Sequence, residues 1–120
     1  MARCLIVDDS RLSRKKLRQI LESGDHEVVA EGLDGADGLE KYKEFKPDIT
    51  MLDITMPVMN GFDCLDAIKE IDKDARCIMV SAIGSPDALT SAIQKGANNY
   101  ITKPYNNEDV LEVVEETLED

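Results

Sequence analysis

Leu5-Ile-Val-Asp-Asp-Ser10 sets an apolar run directly against two carboxylates, and related junctions occur twice more. Met51-Leu-Asp53 ends an apolar run in an acid, and Tyr100-Ile-Thr-Lys-Pro104 ends one in a lysine. If these runs are parallel strands of one sheet, Asp8, Asp9 and Asp53 converge with Lys103 outside the carboxyl ends of the strands. That is where open α/β sheets keep their ligands. Three carboxylates and one ammonium at one edge suit a divalent cation together with a phosphoryl group.

Outward from these junctions, strand-like and helix-like segments alternate five times. Short runs rich in Ile, Val, Leu and Met predict strands over 3–7, 27–31, 48–52, 76–80 and 99–102. Helical patterns fill the gaps. Residues 10–23 carry Leu12, Leu17, Ile20 and Leu21 on one stripe and end at Gly24, whereas 35–45 carry Ala36, Leu39 and Tyr42 and stop before Pro47. Leu65, Ile68 and Ile71 repeat at near-helical spacing over 62–71, as do Val110, Leu111, Val114 and Leu118 over 107–118, with Gly61 and Gly96 punctuating the later units. Five such βα units predict a doubly wound parallel sheet covered by helices on both faces, because parallel strands need crossovers and these are right-handed. A closed (β/α)8 barrel needs about twice the length. Without repeats, low-complexity tracts or a linker, residues 1–120 are expected to form a single domain.

Fourteen Lys and Arg against 25 Asp and Glu leave a net charge of −11, and 42% of the residues are hydrophobic, the composition of a soluble acidic globule. This argues against nucleic acid as a direct partner. The charge is segregated: residues 106–120 hold seven acids and no base, and Arg11–Arg18 holds five bases and no acid, so the two faces are suited to different partners. Cys4, Cys64 and Cys77 form neither a Cys-x-x-Cys pair nor a Cys/His metal pattern, and read as buried or idle reduced thiols. No leader precedes Leu5-Ile-Val and no apolar run approaches the roughly 20 residues that span a bilayer, so a cytoplasmic protein without membrane contact is expected. His26, the sole histidine, follows Gly24-Asp25 in an expected turn and lacks partners for a metal or catalytic constellation.

Each charged motif has a plainer reading when taken alone. Asp8-Asp9-Ser10 is also a plausible helix cap, Asp53 a turn, Lys103-Pro104 a solvated loop and Ser81 a strand-end hydroxyl. Their coincidence at the carboxyl ends of strands one, three, four and five argues otherwise. Two like charges about 4 Å apart cost on the order of 4 kcal/mol at an effective dielectric near 20, so a chain that gathers three carboxylates is expected to hold a cation among them. Oxygen-only ligands favour a hard ion such as Mg2+, with Mn2+ able to substitute. Lys103 then supplies a second positive charge and Ser81 a neutral donor to a tetrahedral anion. Asp53 is the expected nucleophile, since a carboxylate attacks phosphorus to give an acyl phosphate.

With these residues in view the whole chain resembles the response-regulator receiver domains of two-component signalling. The stretch Leu52-Asp-Ile-Thr-Met-Pro-Val-Met-Asn-Gly61 is the most specific part of the likeness. The resemblance implies a flavodoxin-like (βα)5 fold with strand order 2-1-3-4-5. It assigns Mg2+ binding to Asp8 and Asp9, phosphoryl acceptance to Asp53, and completion of the metal shell to the Thr55 backbone carbonyl. Ser81 matches the switch hydroxyl, Lys103 the lysine that pairs with the phosphoryl group, and Tyr100 the aromatic whose ring moves inward when Ser81 is drawn to the phosphate. A cis peptide is implied between Lys103 and Pro104. Thr55 and Ile83 match the positions flanking the path of the hydrolytic water; neither carries an acid or amide, and slow loss of phosphate is expected.

An aspartyl phosphatase of the dehalogenase type is disfavoured, because Thr55 stands where that motif needs a second carboxylate and no cap domain is present. No Gly-x-Gly-x-x-Gly or Walker loop follows the first strand, which disfavours a flavin or nucleotide carrier. The expected protein is therefore a monomeric switch and not an enzyme. Asp53-Ile-Thr-Met-Pro-Val-Met-Asn-Gly61, Ser81-Ala-Ile-Gly84 and Lys95-Gly-Ala97 resemble stand-alone chemotaxis regulators most. That likeness implies a histidine kinase or phosphotransfer domain as donor, a flagellar motor switch protein as target and a separate phosphatase. The alternatives are a phosphorelay intermediate or a single-domain regulator of another output.

Overall fold

Five parallel strands pair in the order 2-1-3-4-5 in this computed structural model, which describes residues 1–119. The strands are β1 (Arg3–Val7), β2 (Glu27–Gly32), β3 (Ile49–Leu52), β4 (Cys77–Ser81) and β5 (Asn99–Thr102). They alternate with α1 (Arg11–Ser23), α2 (Gly35–Phe45), α3 (Gly61–Ile71), α4 (Pro86–Gln94) and α5 (Asn107–Leu118). The doubly wound fold expected from the five-fold alternation is thus present, with boundaries within a residue or so of those expected.

Side chains of a strand point alternately to its two faces, and both faces here are apolar. Cys4 and Ile6 of β1 join Met51, Ile78, Val80 and Ile101 beneath Leu17, Ile20 and Leu21 of α1 and Val110 and Val114 of α5. Leu5 and Val7 face the other way, with Leu52, Cys77 and Met79, against Tyr42 of α2, Cys64, Leu65 and Ile68 of α3 and Ala92 of α4. Fully burying one such aliphatic side chain contributes about 1.5–3 kcal/mol, so the two layers together hold the sheet that positions the carboxyl edge.

Two expected core positions are corrected. Leu12 is 77% exposed and Ile71 is 51% exposed. Leu12 lies five residues from Leu17, about 140° around the helix, so it cannot share the inward stripe. Arg14 holds the inward place instead, three residues before Leu17 and seven before Leu21. Ile71 is the last residue of α3, where it lines an open groove with Tyr42, Lys46, Pro47 and Asp72. The His26 side chain is buried, with Nδ1 accepting the Ala2 N–H at 3.0 Å and Nε2 placed 2.9 Å from Glu115 Oε1. Its role is structural: the acceptor Nδ1 leaves the proton on Nε2, which ties the first strand to α5.

Each helix starts at the carboxyl edge with a side-chain cap. Ser10, Asp34, Asn60, Ser85 and Asn106 each accept the backbone N–H three residues on. The capping reading of Asp8-Asp9-Ser10 thus holds for Ser10, and Asp8 Oδ1 adds a bond to the Ser10 N–H at 2.8 Å, which leaves Asp8 Oδ2 and Asp9 outside the cap. Gly61 closes the loop after β3: its N–H donates to the Ile54 carbonyl at 2.8 Å, and a Cβ there would sit 1.9 Å from the Asp53 carbonyl oxygen. Backbone cannot yield as a side chain does. Gly61→Ala is expected to destabilise the fold by about 1–3 kcal/mol, as overpacking does, read as a lowered urea midpoint at unchanged slope.

Candidate metal and phosphoryl site

Parallel pairing brings the ends of β1 and β3 together, with Val7 beside Leu52 and the Asp53 N–H donated to the Val7 carbonyl at 2.9 Å. The carboxylates that follow must then converge. One ligand oxygen from each of Asp8, Asp9 and Asp53 lies within 4.8 Å of the others, with Asp8 buried, Asp53 half-buried and Asp9 exposed. The Asp8 N–H donates to Gly32 at 3.1 Å, and Asp8 Oδ1 accepts the Ser10 N–H at 2.8 Å, so β2 and the start of α1 both fix this acid.

Lys103 reaches the cluster from the loop after β5, where Lys103–Pro104 is a cis peptide. Its Nζ stands 3.0 Å from Asp8 Oδ2 and 3.6 Å from Asp53 Oδ2, and 3.4 Å from Ser13 Oγ. Ser13 had no signal in sequence, since a serine in a helical first turn is ordinarily a solvated residue. Asp53 Oδ1 accepts the Ile54 N–H at 2.7 Å. Burial, and secondarily the negative charge of Asp8, push the Asp53 carboxyl above its ordinary range, opposed by Lys103 and by the backbone N–H groups of Ile54 and Thr55. The donor set fits Mg2+: three carboxylates without His or Cys, one of them open to solvent for the waters this ion retains. Asp8, Asp9 and Asp53 are the side chains that would hold it. Thr55 lies two residues beyond Asp53 in the exposed connecting loop.

Ser81 ends β4 beside Thr102 and is buried, and the Lys103 N–H donates to its carbonyl at 2.8 Å. Its Oγ accepts the Ile83 N–H at 3.2 Å, and the Tyr100 hydroxyl donates to the Ile83 carbonyl. Burial raises the Tyr100 phenol, with a hydrogen bond to Ser81 opposing the shift and the charge of Asp53 adding to it. Ser81, Ile83 and Tyr100 are thus joined through one short loop, 39% exposed at Ile83. All the residues singled out in sequence lie at or beside this edge.

A doubly wound sheet of order 2-1-3-4-5, with three carboxylates and an adjacent lysine at its carboxyl edge, defines an α/β domain of the flavodoxin-like class. The chain belongs to the response regulator receiver domain family, which matches residues 4–115. It is 47% identical over 116 residues to the chemotaxis protein CheY of Bacillus subtilis, covering 97% of both chains, and 43% identical over 112 residues to that of Thermotoga maritima, covering 93% of both. Among solved structures, CheY in the CheX-CheY-BeF3-Mg2+ complex from Borrelia burgdorferi superposes with a TM-score of 0.93 at 41% identity, covering 95% of this chain and 87% of that one. The chain is accordingly a receiver domain of the kind found in CheY-type response regulators, a family of regulators that generally bind Mg2+.

The raised Asp53 carboxyl has a consequence for stability. The folded state holds this proton to higher pH than the unfolded chain does, so the ionised carboxylate opposes folding above the folded value, and this penalty vanishes below the unfolded value. In EDTA at neutral pH, Asp53→Asn is therefore expected to melt above wild type, with the gain disappearing as pH falls through the ordinary carboxylate range. Thermal melts of both proteins at several pH values check this; a variant less stable at neutral pH contradicts it.

Proposed function

We propose that the chain is a stand-alone phosphorylation switch that accepts a phosphoryl group on Asp53 from a histidine kinase or phosphotransfer domain. The single observation that supports this most strongly is the Lys103 ammonium standing against Asp8 and Asp53 while three carboxylate oxygens gather within 4.8 Å. An Asp53 oxygen attacks phosphorus, the P–O bond forms as the P–N bond of the donor phosphohistidine breaks, and the released imidazole takes up a proton. Asp8, Asp9 and Asp53 would hold Mg2+, which would supply positive charge to offset that of the transferring group. Lys103 neutralises a further phosphoryl oxygen, and the Ser81 hydroxyl donates to another. The protein assists its own phosphorylation in this way and is otherwise a regulator.

Turning Ser81 Oγ toward the phosphoryl group alters its hold on the Ile83 N–H, and the Ile83 carbonyl carries Tyr100 with it. Tyr100 lines a groove with Leu89, Ala92, Ile93 and Ala97, where Leu89 is 44% and Ile93 64% exposed. The surface of α4, β5 and α5 thereby reads the state of Asp53. The relatives at 47% and 43% identity are chemotaxis proteins, which favours the flagellar motor switch as target and cytoplasmic action; the Borrelia structure with CheX and Mg2+ favours a separate protein acting on the phosphorylated form. Coupling between Asp53 and the surface is on the order of 1–3 kcal/mol, as for allosteric pairs in general. A phosphorelay intermediate uses the same acceptor but needs no such link, and the Ser81–Ile83–Tyr100 chain of contacts favours the switch.

Asp53→Asn is expected to abolish covalent labelling by small acyl phosphates in Mg2+, because an amide forms no acyl phosphate; full labelling in the variant rejects the acceptor. Ile83 and Thr55 offer an approaching water neither acid nor amide. Introducing an acid with Ile83→Glu should speed loss of phosphate, by less than the roughly 10²-fold that a well-positioned base contributes. Single-turnover decay in excess Mg2+ measures it, and equal or slower decay shows that water access at this position does not limit hydrolysis.

A further inference from the structure

Arg14 is the buried base within the Arg11–Arg18 run, its side chain only 11% exposed. Its Nη1 donates to the Asp8 carbonyl at 2.7 Å, and its Nε donates to Glu31 Oε1 at 2.9 Å. The second oxygen of Glu31 accepts Arg18 Nε at 2.8 Å and faces Arg18 Nη2 at 2.7 Å. Asp8 is therefore tied to β2 at both ends: its N–H goes to the Gly32 carbonyl, and its C=O reaches Glu31 through the Arg14 guanidinium. The planar guanidinium spans these two partners as a fork, which no single ammonium reproduces.

The Asp8 carbonyl and the Asp9 N–H belong to one rigid peptide plane. Whatever holds that carbonyl sets the direction in which the chain delivers Asp9, the exposed member of the carboxylate cluster, relative to Asp8 and Asp53. Resting on the functional reading above, we infer that Arg14, backed by Glu31, is a positioning residue that fixes the Asp8–Asp9 peptide and so sets the affinity of the site for its cation without touching it. Partners one step removed from a metal ligand are worth about 10- to 100-fold in metal affinity, so the effect is large enough to measure. The alternative role is electrostatic. A bare guanidinium near the site repels Mg2+, and its removal tightens binding; because Glu31 pairs with Arg14 at 2.9 Å and Arg18, which shares Glu31, also pairs with Glu22 at 3.6 Å, two bases face two acids, that repulsion is reduced and geometry dominates. The two roles thus predict opposite signs.

Mg2+ binding is measured by calorimetric titration of the purified full chain, in parallel with melting midpoints in EDTA and labelling by a small acyl phosphate. Wild type is set beside Arg14→Met, Arg14→Lys and Lys15→Met, the last removing an exposed charge from the same helix. We expect the Mg2+ Kd to weaken about tenfold in Arg14→Met and at least about threefold in Arg14→Lys, which keeps the charge but loses the fork. Lys15→Met should bind as wild type or slightly tighter, and labelling of the Arg14 variants at saturating Mg2+ should return to within about threefold of wild type, as expected when the loss lies in positioning the cation ligands. If Arg14→Met does not fold, Arg14→Lys carries the test alone. Unchanged or tighter Mg2+ binding in a folded Arg14 variant, whatever its melting midpoint, overturns this inference and leaves the functional reading standing. A wild-type protein that binds no Mg2+ overturns both.

Discussion

An ammonium held 3.0 Å from Asp8 and 3.6 Å from Asp53 lets three carboxylates share one edge of a sheet. The acids repel one another and two are partly or wholly withdrawn from water, conditions under which a like-charged group gives up its charge or finds a counter-charge. Lys103 is that counter-charge, and its backbone is in turn fixed by a hydrogen bond to Ser81. The two parallel pairings that flank the site, β1 with β3 and β4 with β5, are thus linked through one lysine side chain. The five side-chain caps serve the same end, because they satisfy the helix N-termini with Ser, Asp and Asn of their own and leave the strand-end acids available.

Most of this architecture was legible in the sequence because strand ends and charged residues coincide there. Leu5-Ile-Val followed by two acids, and Met51-Leu followed by one, place the carboxylates by register alone once the strands are parallel. The cation-holding acids, the Asp53 nucleophile and the parts of Lys103 and Ser81 follow from residue chemistry, whereas strand order and the roles of Thr55, Ile83 and Tyr100 come from family resemblance. The expectation for Leu12 follows residue type and not its angle on the helix, and Ile71 keeps helical spacing although the end of α3 opens onto a groove. Arg14 was hidden for the converse reason. A base among five reads as solvated surface, and only the i, i+3, i+7 relation to Leu17 and Leu21 marks it as inward.

The charge segregation noted in the sequence takes a different meaning in the folded chain. Arg14 and Arg18 turn their charge onto Glu31, so part of the basic run of α1 is internal wiring and not free surface. Arg11 and Lys15 remain exposed, and the Lys16 ammonium stands 4.8 Å from the centre of the Tyr105 ring. On α5 the acids Glu108, Asp109, Glu112, Glu115 and Glu116, and Glu119 just beyond it, face solvent, apart from the bond of Glu115 to His26. The negative first turn of that helix suits its dipole, whereas Glu115 and Glu116 near its end do not. The helix is retained by Val110, Val114 and Thr117 beneath it, and not by its own electrostatics.

Cys4, Cys64 and Cys77 lie in β1, α3 and β4, all buried and unpaired, and burial above all pushes each thiol up to about 12. A thiol with such a value is ionised in only about one molecule in 10⁵ at neutral pH, and the thiolate is the form that meets oxidants and electrophiles. These sulfurs sit in the very strands and helix that frame the acidic edge. Oxidising or alkylating them requires that the packing around them first open. Thiol-directed reagents are thereby kept from the three cysteines of the folded protein, and modification of any of them reports a chain that has already opened.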